Sequence, residues 1–187
     1  MPLSFAQQRL WFLDQLKPGD VSYNMPSALR LSGALDVDAL RRAVTAMVER
    51  HESLRTSFQS VAGEPRQVIH PPHPAAVEVV DLSGIQDRAQ RDAEALKRAT
   101  RDAQQPFDLS TGPLLRVTLL TLEPSEHVLL LCLHHIVSDG WSMGVLVREL
   151  TALYESFLTG TPAACPRFKC STPTTRCGNA AGFRARR

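Results

Sequence analysis

The stretch LLRVTLLTLEPSEHVLLLCLHHIVSDGWS, residues 114–142, carries the strongest structural signal in the chain. Residues 114–122 and 127–134 are apolar at successive positions, which is typical of strands that are buried on both faces. A polar turn, Glu123-Pro124-Ser125-Glu126, separates the two strands. The apolar positions of residues 142–158 recur at helical spacing. We therefore expect two buried strands, a polar loop at the end of the second strand, and a helix after the loop.

The segments before this stretch show the periodicities of further helices and strands. Ser4 and Gln7 have the spacing of a capping box, and Asp36 precedes an apolar-periodic segment in the position of an N-cap. In chain order, these segments predict helices at residues 4–17, 36–51 and 85–104, and strands at 27–32, 57–61, 66–69 and 77–82. Helices and strands thus alternate irregularly, which favours an α/β fold, a two-layer sandwich with a mixed sheet.

Length, composition and charge exclude several classes of protein. The 187 residues carry a formal net charge of +2, and 43% of them are hydrophobic, which suits one domain or one lobe of a larger domain. A charge so close to neutral gives no reason to invoke nucleic acid or a membrane surface. The opening MPLSFAQQRL lacks the pattern of a secretion signal. We therefore expect a cytoplasmic protein with neither partner.

The loop that follows the second buried strand carries the residues best suited to chemistry. His is the side chain that exchanges a proton near neutral pH, and His134 and His135 end the strand. Adjacent strand residues point to opposite faces, so only one His can face a given cavity, which argues against a shared metal site. Asp139 can accept backbone amides or pair with an Arg, and Gly140 permits a close backbone approach or a positive φ. The residues alone leave open the simpler interpretation that two His finish a strand and Asp-Gly makes a turn.

Other residues that could bear chemistry are predicted to be structural. Trp11 and Phe12 are expected in the core, and Cys132, within an apolar strand, is expected to be a small buried hydrophobe. The proline-rich loop 70–74 places two histidines on the surface without the fixed spacing of metal ligands. No function is assigned to four histidines: His51, His70, His73 and His127.

Four segments, in order along the chain, resemble the condensation domains of nonribosomal peptide synthetases. These domains belong to the chloramphenicol-acetyltransferase-like acyltransferase superfamily. HHIVSDGWS resembles their HHxxxDG signature. The other three segments are SFAQQRLWFLDQL at residues 4–16, RHESLRTSF at 50–58 and PFDLSTGPLLR at 106–116. The resemblance implies that residues 1–160 form the N-terminal lobe of a two-lobed domain.

The resemblance implies a reaction on carrier proteins. The family joins an aminoacyl or peptidyl thioester, held on the phosphopantetheine arm of a donor carrier protein, to the amine of an aminoacyl acceptor carrier, forming an amide. His135 matches the second His of the signature and is the implied catalytic residue, which deprotonates or positions the amine. No cofactor or metal is bound directly. The implied site-supporting residues are His134, Asp139, Gly140, Trp141 and Arg55, with Asp139 in an ion pair that fixes the loop and Gly140 offering its amide.

Residues 161–187 differ in charge composition from the rest of the chain. They carry six basic and no acidic side chains, whereas residues 1–160 carry a net charge of −4. The family normally continues here with a segment of the type LPVQYADYAVWQRxWL. If the bases that encode residues 168–179 are read in a frame shifted by one base, they can encode QVQYADYAVWQ. We therefore expect residues 161–187 to be an out-of-frame, disordered tail, which the nucleotide sequence tests.

These expectations combine into one hypothesis with two rivals. The implied partners are the donor and acceptor carrier proteins and a C-terminal lobe, which closes the substrate tunnel. A truncated chain is therefore expected to be inactive alone. The first rival is a noncatalytic fragment that docks carrier proteins and is indifferent to the loss of His135. The second is a standalone acyltransferase that assembles its site between the protomers of an oligomer.

Overall fold

The computed structural model describes residues 1–161, which form four α-helices and six strands. In chain order these are α1 (Phe5–Leu16), β1 (Asn24–Ser32), α2 (Val37–Arg50), β2 (Thr56–Val61), β3 (Glu64–Ile69), β4 (Glu78–Asp81), α3 (Arg88–Ala103), β5 (Leu115–Glu123), β6 (Glu126–His134) and α4 (Gly140–Thr159). A 3₁₀ helix, Glu52–Arg55, precedes β2. The predicted tail lies outside the described residues except for Thr161, so it stays a prediction.

The main sheet has the order β1-β6-β5-β4, with the two predicted buried strands at its centre. β6 pairs antiparallel with both β1 and β5, whereas β4 pairs parallel with β5. β2 and β3 form a separate antiparallel hairpin. The predicted mixed sheet is therefore confirmed.

Helices cover both faces of the two central strands, which explains why these strands are apolar at successive residues. Alternate residues such as Leu119 and Leu131 pack in a cluster with α2 and α4. Their neighbours, including Leu120 and Leu130, pack in a second cluster with Ala95 of α3. The α/β class is confirmed, and α3 adds a layer on the second face of the sheet.

Side-chain caps set the ends of the helices. The capping box of Ser4 and Gln7 is present at α1, and Asp36 accepts a hydrogen bond from the amide of Ala39 at the start of α2. α4 begins at Gly140, two residues earlier than expected, because Asp139 rather than a later residue is its N-cap. Gly160 ends the helix in the left-handed conformation, with a φ of 70°, which glycine adopts without steric cost.

The aromatic residues of α1 are only partly core. Trp11 is half-buried against the cluster that contains Phe58. The prediction that Phe12 is a core residue is wrong, because its side chain is 57% exposed. No residue of α1 is fully buried, and the helix lies with Trp11 towards the cluster and Phe12 towards solvent. Cys132 is fully buried, as expected, and burial raises the pKa of its thiol.

Candidate active site

The two histidines of the HHIVSDG loop face opposite ways, as strand geometry predicts. His134 is the last residue of β6 and is buried, with 3% of its surface exposed. His135 follows in a turn and is exposed, while its backbone amide donates to the carbonyl of Tyr23 at 2.9 Å. The main chain is thus anchored at the point where one imidazole enters the core and the other opens to the surface.

His134 supports the turn through a hydrogen bond and a ring contact. Its Nδ1 accepts the backbone N–H of Ile136 at 3.1 Å, and its ring lies edge-on to Phe107 with the ring centroids 6.1 Å apart. Burial, with a smaller effect of the charge on His135, lowers the pKa of His134 to about 4. His134 is therefore neutral near pH 7, and its Nδ1 lone pair remains available to the amide of Ile136.

The buried state of His134 predicts a pH-dependent stability. In the unfolded chain His134 regains an ordinary pKa near 6.5, so below that value the unfolded state binds more protons. Its contribution to stability is complete above about pH 6.5 and is lost as the pH falls towards 4. We expect roughly 2 kcal/mol of unfolding free energy to be lost between about pH 7.5 and pH 5 through this group.

The matched variant is His134→Asn, which keeps a hydrogen-bond acceptor but does not titrate. Urea unfolding at the two pH values measures the difference, and subtracting the variant from the wild type removes the contribution of other ionisable groups. Equal pH dependence in both proteins would show that His134 is not the group responsible.

His135 holds one defined tautomer in this geometry. Its Nδ1 lies 2.8 Å from the carbonyl oxygen of Ser138. A carbonyl oxygen can only accept, so Nδ1 carries the proton and donates it. The lone pair of the ring is therefore on Nε2, and the imidazole is exposed to an approaching group. This arrangement can accept a proton at Nε2.

Asp139 holds the loop as a helix cap. Its carboxylate accepts the backbone N–H of Ser142 at 2.8 Å and lies 2.7 Å from the Ser142 hydroxyl. These hydrogen bonds keep the pKa of the Asp139 carboxyl below its ordinary value. Within residues 1–161, capping takes the place of the expected ion pair. The alternative that Asp139 accepts backbone amides is the one observed.

Gly140 and Trp141 begin α4 and are open to solvent. Gly140 does not have a positive φ, and a Cβ built on it would meet no atom within 4 Å. The alternative of a left-handed backbone at Gly140 is therefore wrong, whereas the close approach of a substrate at this open position stays a prediction. Trp141 is 76% exposed beside it. The Asp139 carboxylate binds the first-turn amides of Trp141 and Ser142, so it lies at the positive end of the helix.

Arg55 lies at the base of the β2–β3 hairpin. Its guanidinium donates to the carbonyl of His70 at 2.5 Å and lies 3.4 Å from Glu52. It also lines a cavity of about 320 Å³ with Thr111 and neighbouring residues. These contacts do not include the HHIVSDG loop, so the described residues give Arg55 no direct contact with His135.

Two of the remaining histidines, His51 and His70, have structural contacts. His51 forms a hydrogen bond of 2.5 Å with the buried Glu149, joining the end of α2 to α4. His70, expected on the surface, is half-buried, and its Nε2 lies 2.8 Å from the Ser57 hydroxyl. Across residues 1–161 no three His, Cys, Asp or Glu side chains form a group that could hold a metal ion.

Ser138 and Ser142 were missed as site residues. The Ser138 carbonyl accepts a hydrogen bond from the Nδ1–H of His135, and Ser142 completes a capping box with Asp139. The available signal was the three-residue spacing between Asp139 and Ser142, which is that of a capping box.

No helix in the described part of the chain combines the length and apolar character needed to cross a membrane.

Comparison with known proteins places this lobe in a family. The model of the Condensation domain family matches residues 1–170. A linear gramicidin synthase of Brevibacillus parabrevis is 52% identical over 160 residues, which cover 86% of this chain and 2% of that protein. Chondramide synthase of Chondromyces crocatus is 51% identical over 163 residues, covering 87% and 4%. The chain belongs to the condensation-domain family of nonribosomal peptide synthetases.

Solved structures identify the part of the domain that the chain represents. The first condensation domain of the CDA synthetase superposes with a TM-score of 0.80 at 29% identity, and the match covers 88% of this chain and 42% of that one. The starter condensation domain of rhizomide synthetase matches with a TM-score of 0.78 at 30% identity, covering 88% and 41%. The chain is the N-terminal lobe of a chloramphenicol-acetyltransferase-like fold, and it spans less than half of the solved domains it matches.

Proposed function

We propose that this lobe supplies the proton acceptor for amide-bond formation between two substrates bound to carrier proteins. The donor is an aminoacyl or peptidyl thioester, and the acceptor is the amine of an aminoacyl thioester. The observation that carries the proposal is the exposed Nε2 of His135, whose lone pair is fixed by the Nδ1 bond to Ser138. A neutral imidazole suits an α-amino group, whose pKa lies near 8.

The proposed step needs no nucleophile from the enzyme, because the thioester is already activated. The amine nitrogen attacks the thioester carbonyl carbon, and His135 takes a proton from that nitrogen at Nε2. The carbon–sulfur bond then breaks as the amide forms, and the departing phosphopantetheine thiolate takes the proton from the imidazolium. Atoms and charge balance, and His135 returns to its starting state.

The surroundings of His135 support this step. α4 begins at Gly140, next to the loop, and a backbone amide at this position can stabilise an oxyanion that develops on a carbonyl. In the proposal, Gly140 offers its amide and an open side for substrate, Trp141 lies at the substrate surface, and Asp139 and His134 hold the loop. Arg55 supports the lobe at the β2–β3 hairpin.

A second lobe completes the site in this proposal. His135 lies on the exposed surface of the described residues. A buried tunnel for two phosphopantetheine arms needs a second wall, and the solved domains contain more than twice the matched length. The isolated 187-residue chain is therefore expected to be inactive, with the donor and acceptor carrier proteins as its partners.

A lobe exchange tests the proposal. Residues 1–160 replace the matching lobe of the condensation domain in the linear gramicidin synthase described above, chosen because the two are 52% identical. The hybrid is mixed with aminoacylated donor and acceptor carrier proteins, and mass spectrometry detects the dipeptidyl carrier. We expect product from the hybrid and none from the 187-residue chain alone. A folded hybrid that binds both carriers but forms no product would overturn the proposal and favour a docking fragment.

A further inference from the structure

The hydroxyl of Ser142 lies at the centre of the hydrogen bonds that organise the loop. Its Oγ accepts the backbone N–H of Asp139 at 2.7 Å and lies 2.7 Å from the Asp139 carboxylate. The hydroxyl of Ser138, whose residue is buried, lies 3.0 Å from the same oxygen. A hydroxyl has one proton and two lone pairs, so Ser142 can accept from the Asp139 amide and the Ser138 hydroxyl and donate to an Asp139 oxygen, either the carboxylate at 2.7 Å or the backbone carbonyl at 2.9 Å.

One peptide unit connects this hydroxyl to His135. The N–H of Asp139 and the C=O of Ser138 belong to the same planar amide, in which the two groups point in opposite directions. The N–H end binds Ser142 Oγ, and the C=O end accepts the Nδ1 proton of His135 at 2.8 Å. Holding the N–H end therefore fixes the direction of the C=O end.

The same connection has an electronic consequence. A hydrogen bond at the N–H end polarises the amide and makes its carbonyl oxygen a better acceptor. A better acceptor at Ser138 holds the proton of His135 more firmly on Nδ1, which leaves the lone pair on Nε2. The other tautomer would point a lone pair at a carbonyl oxygen and bring two acceptors together at 2.8 Å.

We propose that Ser142 is a positioning residue that holds His135 in the Nδ1–H tautomer by fixing the Ser138–Asp139 peptide. This role deepens the proposed function, because it supplies the free Nε2 lone pair on which that function rests. Ser142 does not touch the reacting atoms in this proposal. Its effect passes through one peptide unit, and it differs from the capping role of Asp139, whose carboxylate binds the amide of Ser142 itself.

The test is the nitrogen NMR spectrum of the His135 ring in the ¹⁵N-labelled 187-residue chain, recorded near neutral pH. In the wild type, Nδ1 should show the shift of a protonated ring nitrogen and Nε2 that of an unprotonated one. In Ser142→Ala we expect this pattern to be lost, with both nitrogens moving towards the average of the two tautomers. Ser142→Thr, which keeps the hydroxyl, should restore the wild-type pattern.

Two further variants separate positioning from general loss of structure. Ser138→Ala removes the buried hydroxyl but leaves the hydrogen bond from the Asp139 N–H to Ser142 Oγ. This variant should therefore keep the wild-type pattern. Ser142→Cys keeps the side-chain volume with a poor acceptor and should behave like Ser142→Ala with its helical circular dichroism intact. An unchanged tautomer in both Ser142→Ala and Ser142→Cys, or an equal change in Ser138→Ala, would overturn the proposal. The readout needs no turnover, so its outcome is independent of the lobe exchange.

Discussion

Replacing His135 with alanine in the lobe-exchange hybrid is expected to lower kcat for dipeptide formation by about 10²- to 10⁴-fold, the usual contribution of a general base. The imidazole is exposed, and its ring nitrogen bonds only to the Ser138 carbonyl among the described residues, so its removal leaves the buried clusters intact. The unfolding midpoint should therefore stay close to that of the parent. Quantifying the dipeptidyl carrier over time by mass spectrometry gives the rate.

The matched control for this substitution is His73→Ala. His73 is also exposed, and its Nδ1 lies 3.2 Å from the carbonyl of its neighbour Pro74, in the proline-rich loop 70–74. We expect full activity from this variant and unchanged binding of both carrier proteins by either variant. Normal turnover with His135→Ala, or an equal loss with His73→Ala, would be incompatible with a proton acceptor at position 135.

Features that depend on local sequence were predictable. The central strands β5 and β6 followed from apolar residues at successive positions, because burial on both faces leaves that signature. The helix starts at Ser4 and Asp36 followed from capping, which involves side chains only three residues apart. Alternation along a strand led us to expect that only one of His134 and His135 would face a given cavity, and one is buried and the other exposed, although β6 ends at His134.

Features that depend on tertiary placement were not predictable from one sequence. Whether Phe12 or Trp11 meets the core depends on how α1 lies on the lobe, and the helix pattern alone cannot decide this. Glu149 looks like a surface residue of α4, yet it is buried because α2 brings His51 against it. The role of Ser142 depends on the direction of a single peptide plane, which has no signature in residue type.

Replacing Phe58 with alanine is expected to lower the free energy of unfolding by about 3–5 kcal/mol, the range for removing a buried aromatic ring. Phe58 is 1% exposed and packs in the cluster with Leu114, Cys132 and Ile136, and Ile136 belongs to the HHIVSDG loop. The residues around it come from separate segments, so the cavity cannot close by a local shift. Urea unfolding of the 187-residue chain, followed by circular dichroism, measures the loss.

Phe12→Ala is the matched control, because it deletes the same ring at a position that is 57% exposed. Surface substitutions of this kind change stability by about 0.5 kcal/mol or less. A large loss at both positions would mean that α1 packs its Phe12 face in solution, whereas a small loss at both would mean that the cluster under the turn is not formed. A large loss at Phe58 alone would agree with the packing, in which Phe58 of the β2–β3 hairpin belongs to the same cluster as Ile136, whose amide binds His134.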